Sequence, residues 1–159
     1  MRPARFQDFA ADALAKAPDV KSVDPWQEPD RPFGIHIVFM SGAQIWAAIT
    51  ATAAPGEDYD QPENPVSYEA PAEVGYPELY EDGKVTPQQA EKYLAAAFTN
   101  SGSPEIASVY AYTVKDPATS HPGLGLKFHS EARIQFLFQH TARAGQDKGS
   151  QPFDLQTAF

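Results

Sequence analysis

Apolar and polar positions along the chain spell one set of elements twice. After Pro3, Phe6, Phe9, Ala10, Ala13 and Leu14 fall at i, i+3, i+4, i+7 and i+8, the spacing of one helix face. After Pro87, Ala90, Tyr93, Leu94, Ala97 and Phe98 repeat that spacing. Each predicted helix opens on a proline, which a first turn tolerates, and Thr86 stands before the second as an N-cap. A short strand follows each helix, at PDVKSV (18–23) and PEIASV (104–109).

Hairpins come next, and their period drops to two. Ile35, Ile37 and Phe39 share a side with Ile45, Ala47 and Ile49, and Leu124, Leu126 and Phe128 share one with Ile134, Phe136 and Phe138. Such alternation predicts an antiparallel sheet with one buried face. His140 keeps the parity of Phe136 and Phe138, so it is expected at the end of the core strand.

Aligned at an offset of 89, residues 34–58 and 123–147 are identical at nine of 25 positions. Ser41 and Ser130 recur at the hairpin tips, in keeping with turn chemistry. Glu131 replaces Gly42 there, so a left-handed turn residue is expected to have moved or been lost.

The predicted fold is a single α+β domain, an internally duplicated α-β-β-β unit. Its mainly antiparallel sheet has about six strands, with two helices packed on one face and a pseudo-two-fold relating the halves. Repeat one covers about 3–56, an acidic Pro/Tyr-rich connection about 57–83, repeat two about 86–145 and a C-terminal tail 146–159.

The opposite face of the sheet differs between the halves. In the first it carries His36, Val38, Met40 and Trp46; in the second it carries Lys127, His129 and Arg133. An apolar patch needs a cover or a partner, so Val38, Met40, Trp46 and His36 are candidate binding residues. Lys127, His129 and Arg133 are candidates for an anion-binding cluster.

Charge changes this picture in one place. The net charge is −9, and the stretch from Glu57 to Asp82 holds nine acids with no Lys or Arg. Its prolines Pro62, Pro65, Pro71 and Pro77 disfavour helix, while Tyr59, Tyr68, Tyr76 and Tyr80 supply rings that dock. This segment is one candidate cover for the Trp46 face, a plain linker being the other reading. The C-terminal PFDLQTAF, with Phe153, Leu155 and Phe159, is expected to add an edge strand or to fill a groove.

The chain has no cysteine, which removes disulfides, thiolate metal sites and cysteine nucleophiles. No catalytic or nucleotide-binding motif occurs, no cofactor is implied, and no metal-ligand spacing is convincing. Asp58, Asp60 and Glu69 take positions 1, 3 and 12 of a calcium-type loop, but Glu63 stands where that loop needs glycine. Without a basic run, nucleic acid is not an expected partner, and without a long apolar stretch neither is a membrane.

The sequence therefore points to a cytoplasmic, non-catalytic module whose partner is a protein, itself or another. Two alternatives stand beside it. One is a small-molecule binder or enzyme with a pocket between the repeats that gathers His36, Trp46, His129 and Arg133. The other is an acidic mimic of nucleic acid that occupies a basic partner.

Overall fold

The computed structural model describes residues 1–115 and 117–159. Helix α1 spans Pro3–Leu14, followed by strands β1 (Val20–Pro25), β2 (Gly34–Phe39) and β3 (Gln44–Thr52). A two-stranded hairpin, β4 (Tyr80–Glu81) and β5 (Lys84–Val85), ends the long connection. Helix α2 (Pro87–Thr99) leads to β6 (Ile106–Ala111), β7 (Gly123–Phe128) and β8 (Arg133–Ala142). The fold is α+β, with one six-stranded antiparallel sheet ordered β1-β2-β3-β8-β7-β6.

The period-two residues do what their pattern predicts. Ile35, Ile37, Phe39, Ile45, Ala47 and Ile49 are buried, as are Leu124, Leu126, Phe128, Ile134, Phe136 and Phe138. Phe6 of α1 and Phe98 of α2 meet with ring centroids 5.6 Å apart, and each also meets Phe136 edge-on. Offset and edge-on aromatic pairs of this kind add to the burial they already provide. Thr86 caps α2 reciprocally with Gln89, closing a capping box that satisfies donors at the helix start.

Several local features occur twice along the chain. Strands β1 and β6 each carry a bulge, between Val20 and Ser22 and between Ile106 and Ser108. Trp26 N–H donates to Gly34 O, and Tyr112 N–H donates to Gly123 O. At the hairpin tips Ser41 Oγ accepts from Ala43 N–H and Ser130 Oγ from Ala132 N–H.

Three expectations need correction. The left-handed turn residue has not moved: Glu131 takes φ +71° where Gly42 takes +89°. The turn's own bonds, Gly42 N–H to Phe39 O and Glu131 N–H to Phe128 O, hold glutamate in a conformation that costs a non-glycine residue energy.

His140 does not end the core strand. A register shift opposite Trp46 and Ala47 inserts Gln139, so His140 pairs with Trp46 and turns to the face opposite Phe138.

The acidic connection does not cover Trp46. It runs past the helix ends, held by Arg2 to Glu57 at 2.8 Å and by Arg5 to Glu63 at 2.7 Å. Tyr59 lies against Arg2, Tyr68 against His129 and Tyr76 against Tyr93. Trp46 is buried instead between His36, which stacks on it, and His140, which meets it edge-on and also meets Trp26 of the β1–β2 connection; the tail returns along β8. In that tail Phe153 N–H donates to Gln139 O, and Phe159 exchanges two backbone bonds with Val85 and enters the core.

Candidate functional site

The candidate residues fall into two groups at opposite ends of the sheet. His36 stacks on Trp46 with centroids 4.3 Å apart, and its Nε2 lies 3.0 Å from Gln44 Oε1. Val38 is half-buried beside them, and Met40 is exposed just past the strand. Arg133 pairs with Thr52 at the far end of β3, six residues along the strand from Trp46 and so about 20 Å away.

In the second group Lys127 lies directly opposite Arg133, an unfavourable pairing of like charges. His129 sits apart from both, in the turn, with Nε2 3.2 Å from Glu69 O and its ring edge-on to Tyr68. The geometry therefore does not gather His36, Trp46, His129 and Arg133 around one pocket.

A different constellation surrounds Trp46. His140 packs edge-on to both Trp26 and Trp46, and its Nδ1 is buried without a partner. Burial pushes its pKa below the ordinary histidine value, with Lys148 and Arg31 adding to the effect and Glu28 opposing it. Glu28 bonds Lys148 at 2.7 Å, which fastens the tail to the β1–β2 connection and holds the glutamate's pKa down. Trp46 is thus buried, while Met40 of the same apolar group stays exposed.

The open apolar surface lies at the other edge of the sheet. A groove of about 490 Å³ runs between α2 and β6, floored by Ala95, Ala96, Val109 and Ala111 and flanked by Lys92 and Lys115. Val74 and Pro77 of the acidic connection form its outer lip. Asn100 fixes that lip by bonding both the N–H and the carbonyl of Val74.

The β6 side of the groove is a free sheet edge. Tyr112 N–H donates to Gly123 O at 3.0 Å, which sets the phase of the ladder. By the alternation of antiparallel pairing, Ser108 and Tyr110 turn their main-chain groups to β7, while Val109 and Ala111 present theirs to the groove side.

Sequence reasoning missed this site because edges depend on strand order, which no single strand encodes. One signal was present: IASVYA of β6 has no charge and no proline, whereas VKSVDP of β1 has both.

Among the described residues, no helix is long and apolar enough to cross a membrane. No protein-family model, curated protein or solved structure matches this chain.

Proposed function

We propose that the chain is a non-catalytic protein-binding module, built by duplication of one α-β-β-β unit, which takes its partner at the groove between α2 and β6. The observation that carries this reading is the free edge of β6 lying beside an open apolar groove. An apolar concavity next to unpaired main-chain groups suits a polypeptide, which supplies both side chains and a backbone.

The duplication is supported by the matched bulges of β1 and β6, by the matched turn bonds at Gly42 and Glu131, and by the left-handed glycines Gly56 and Gly145. The non-catalytic part is supported by the placement of the titratable groups. His36 rests on Trp46, His121 on Phe153, His129 on Tyr68, and His140 is buried, and among the described residues no ring-nitrogen hydrogen bond joins any of them to a nucleophilic or acidic side chain.

Selection of displayed random peptides on the purified protein tests the reading, with an Ala111→Pro variant as the control. That variant copies the proline of β1 at the equivalent edge position, where no ladder bond is lost. Peptides that bind the parent chain and not the variant support the groove. Recovery of none, or of peptides indifferent to the variant, contradicts it.

A further inference from the structure

We propose that the partner is an extended acidic segment that pairs with β6 as a seventh strand, an inference that rests on the groove being the binding site. Three observations define its chemistry, beginning with the backbone. Among the described residues no hydrogen bond from outside the sheet reaches the main chain of Val109 or Ala111. A strand laid along β6 satisfies those groups at the spacing of every second residue, and it must be free of proline at the paired positions.

The second observation is charge. In a chain of net charge −9, the charged side chains among the described residues that line the groove are both lysines, while Glu73 and Glu78 of the acidic connection adjoin its lip. Lys92 and Lys115 flank the groove, Lys115 Nζ lies 5.0 Å from the Tyr112 ring, and Lys127 Nζ lies 5.5 Å from the Tyr110 ring. Neither Lys92 nor Lys127 has an acidic partner among the described residues. An acidic strand is drawn to this edge, and a basic one is repelled.

The third observation is the other edge. The positions equivalent to Lys92, Ala96, Tyr110 and Ala111 hold Asp8, Asp12, Asp24 and Pro25. Asp8, Asp12 and Asp24 are exposed, and Pro25 has no N–H to offer a strand. One edge thus carries the usual protections against pairing and the other lacks them. Alternate residues of the added strand point to the groove floor of Ala95, Ala96 and Val109, which selects small and medium apolar side chains. The segment that fits is one that alternates apolar and acidic residues.

Amide-resolved NMR titration of the full chain with synthetic peptides tests this. The probes are a peptide alternating valine and glutamate, its valine and lysine counterpart, and the glutamate peptide with alternate backbone nitrogens methylated. The glutamate peptide is expected to shift Val109 and Ala111 and to bind about ten-fold tighter than the lysine peptide at low salt. The methylated peptide is expected not to bind, and a Lys92→Glu, Lys115→Glu variant of unchanged circular dichroism is expected to lose the preference. Equal binding of the two charge types, or undiminished binding of the methylated peptide, overturns the inference while leaving the groove as a binding site. Failure of all three to perturb β6, when peptides selected on the groove do perturb it, also overturns the inference alone. Failure of both kinds removes the proposed function with it. Pairing of β6 with a second copy of the chain, seen as a dimer by sedimentation, overturns the acidic partner.

Discussion

Gln7 of α1 and Glu91 of α2 each reach a glycine that opens a strand, Gly34 and Gly123, through opposite groups. Gln7 Nε2 donates to Gly34 O at 2.7 Å, whereas Glu91 accepts from Gly123 N–H. Glu91 also accepts from the N–H and the hydroxyl of Thr113, so one fully buried carboxyl gathers three donors, two from the loop after β6 and one from the first residue of β7. The amide ties one strand end; the carboxyl ties a whole connection.

Glu91→Ala leaves three donors without an acceptor in a buried setting and is expected to cost about 2–4 kcal/mol. Gln7→Ala removes a single half-buried bond and is expected to cost about 1 kcal/mol. Urea denaturation of both variants measures the difference. Equal losses would mean that the carboxyl is not the organising group.

The strained turn residue offers a stabilising change. Glu131→Gly is expected to raise stability by about 1 kcal/mol, because glycine accepts the positive φ that glutamate resists. Gly42→Ala should do the reverse and lose more, since a Cβ there meets Ala144 Cβ at 2.6 Å as well. Thermal melts of the two variants should move in opposite directions.

Arg5 bonds both Glu63 and Glu105, and its hydrogen bond to Glu63 holds that carboxyl down at about 2, against the desolvation that would raise it. The folded value lies below the unfolded one, so the contribution is present above about 4.5 and lost as pH falls towards 2. Denaturation of Glu63→Gln across that window should show a flatter acid limb than the parent chain. An unchanged limb would place acid sensitivity elsewhere.

His140 is a base whose folded pKa is lowered, so it is neutral in the fold and charges more readily in the unfolded chain. Stability is therefore expected to fall as pH drops below 6.5, and less so in His140→Gln. Both tryptophans of the chain lie against this ring, at centroid distances of 6.0 and 6.5 Å. Their emission in the folded chain is expected to change only at lower pH than that onset, where the buried ring itself charges, and to stay level in the variant.

Much of the fold was legible in the sequence because burial dictates period. Ile35, Ile37 and Phe39 alternate since one sheet face is buried, and Phe6 to Leu14 step by three and four since one helix face is. The bulge at Gln139 was not legible: nothing marks it in the sequence, and one extra residue reverses the side of His140. The burial of Trp46 was not legible either, because His140, which carries Trp26 on it, meets Trp46 only once that bulge has formed and β8 has paired with β3. Glu91 was hidden for a related reason, since a lone acid on a helix normally faces water.

The availability of β6 is tested most directly by amide hydrogen exchange on the free chain, read residue by residue. The account predicts rapid exchange at Val109 and Ala111, with Tyr110 and the core strands β3 and β8 protected. Slow exchange at Val109 and Ala111, matching Tyr110, would mean that this edge is already paired, and it would contradict the proposal that a partner binds there.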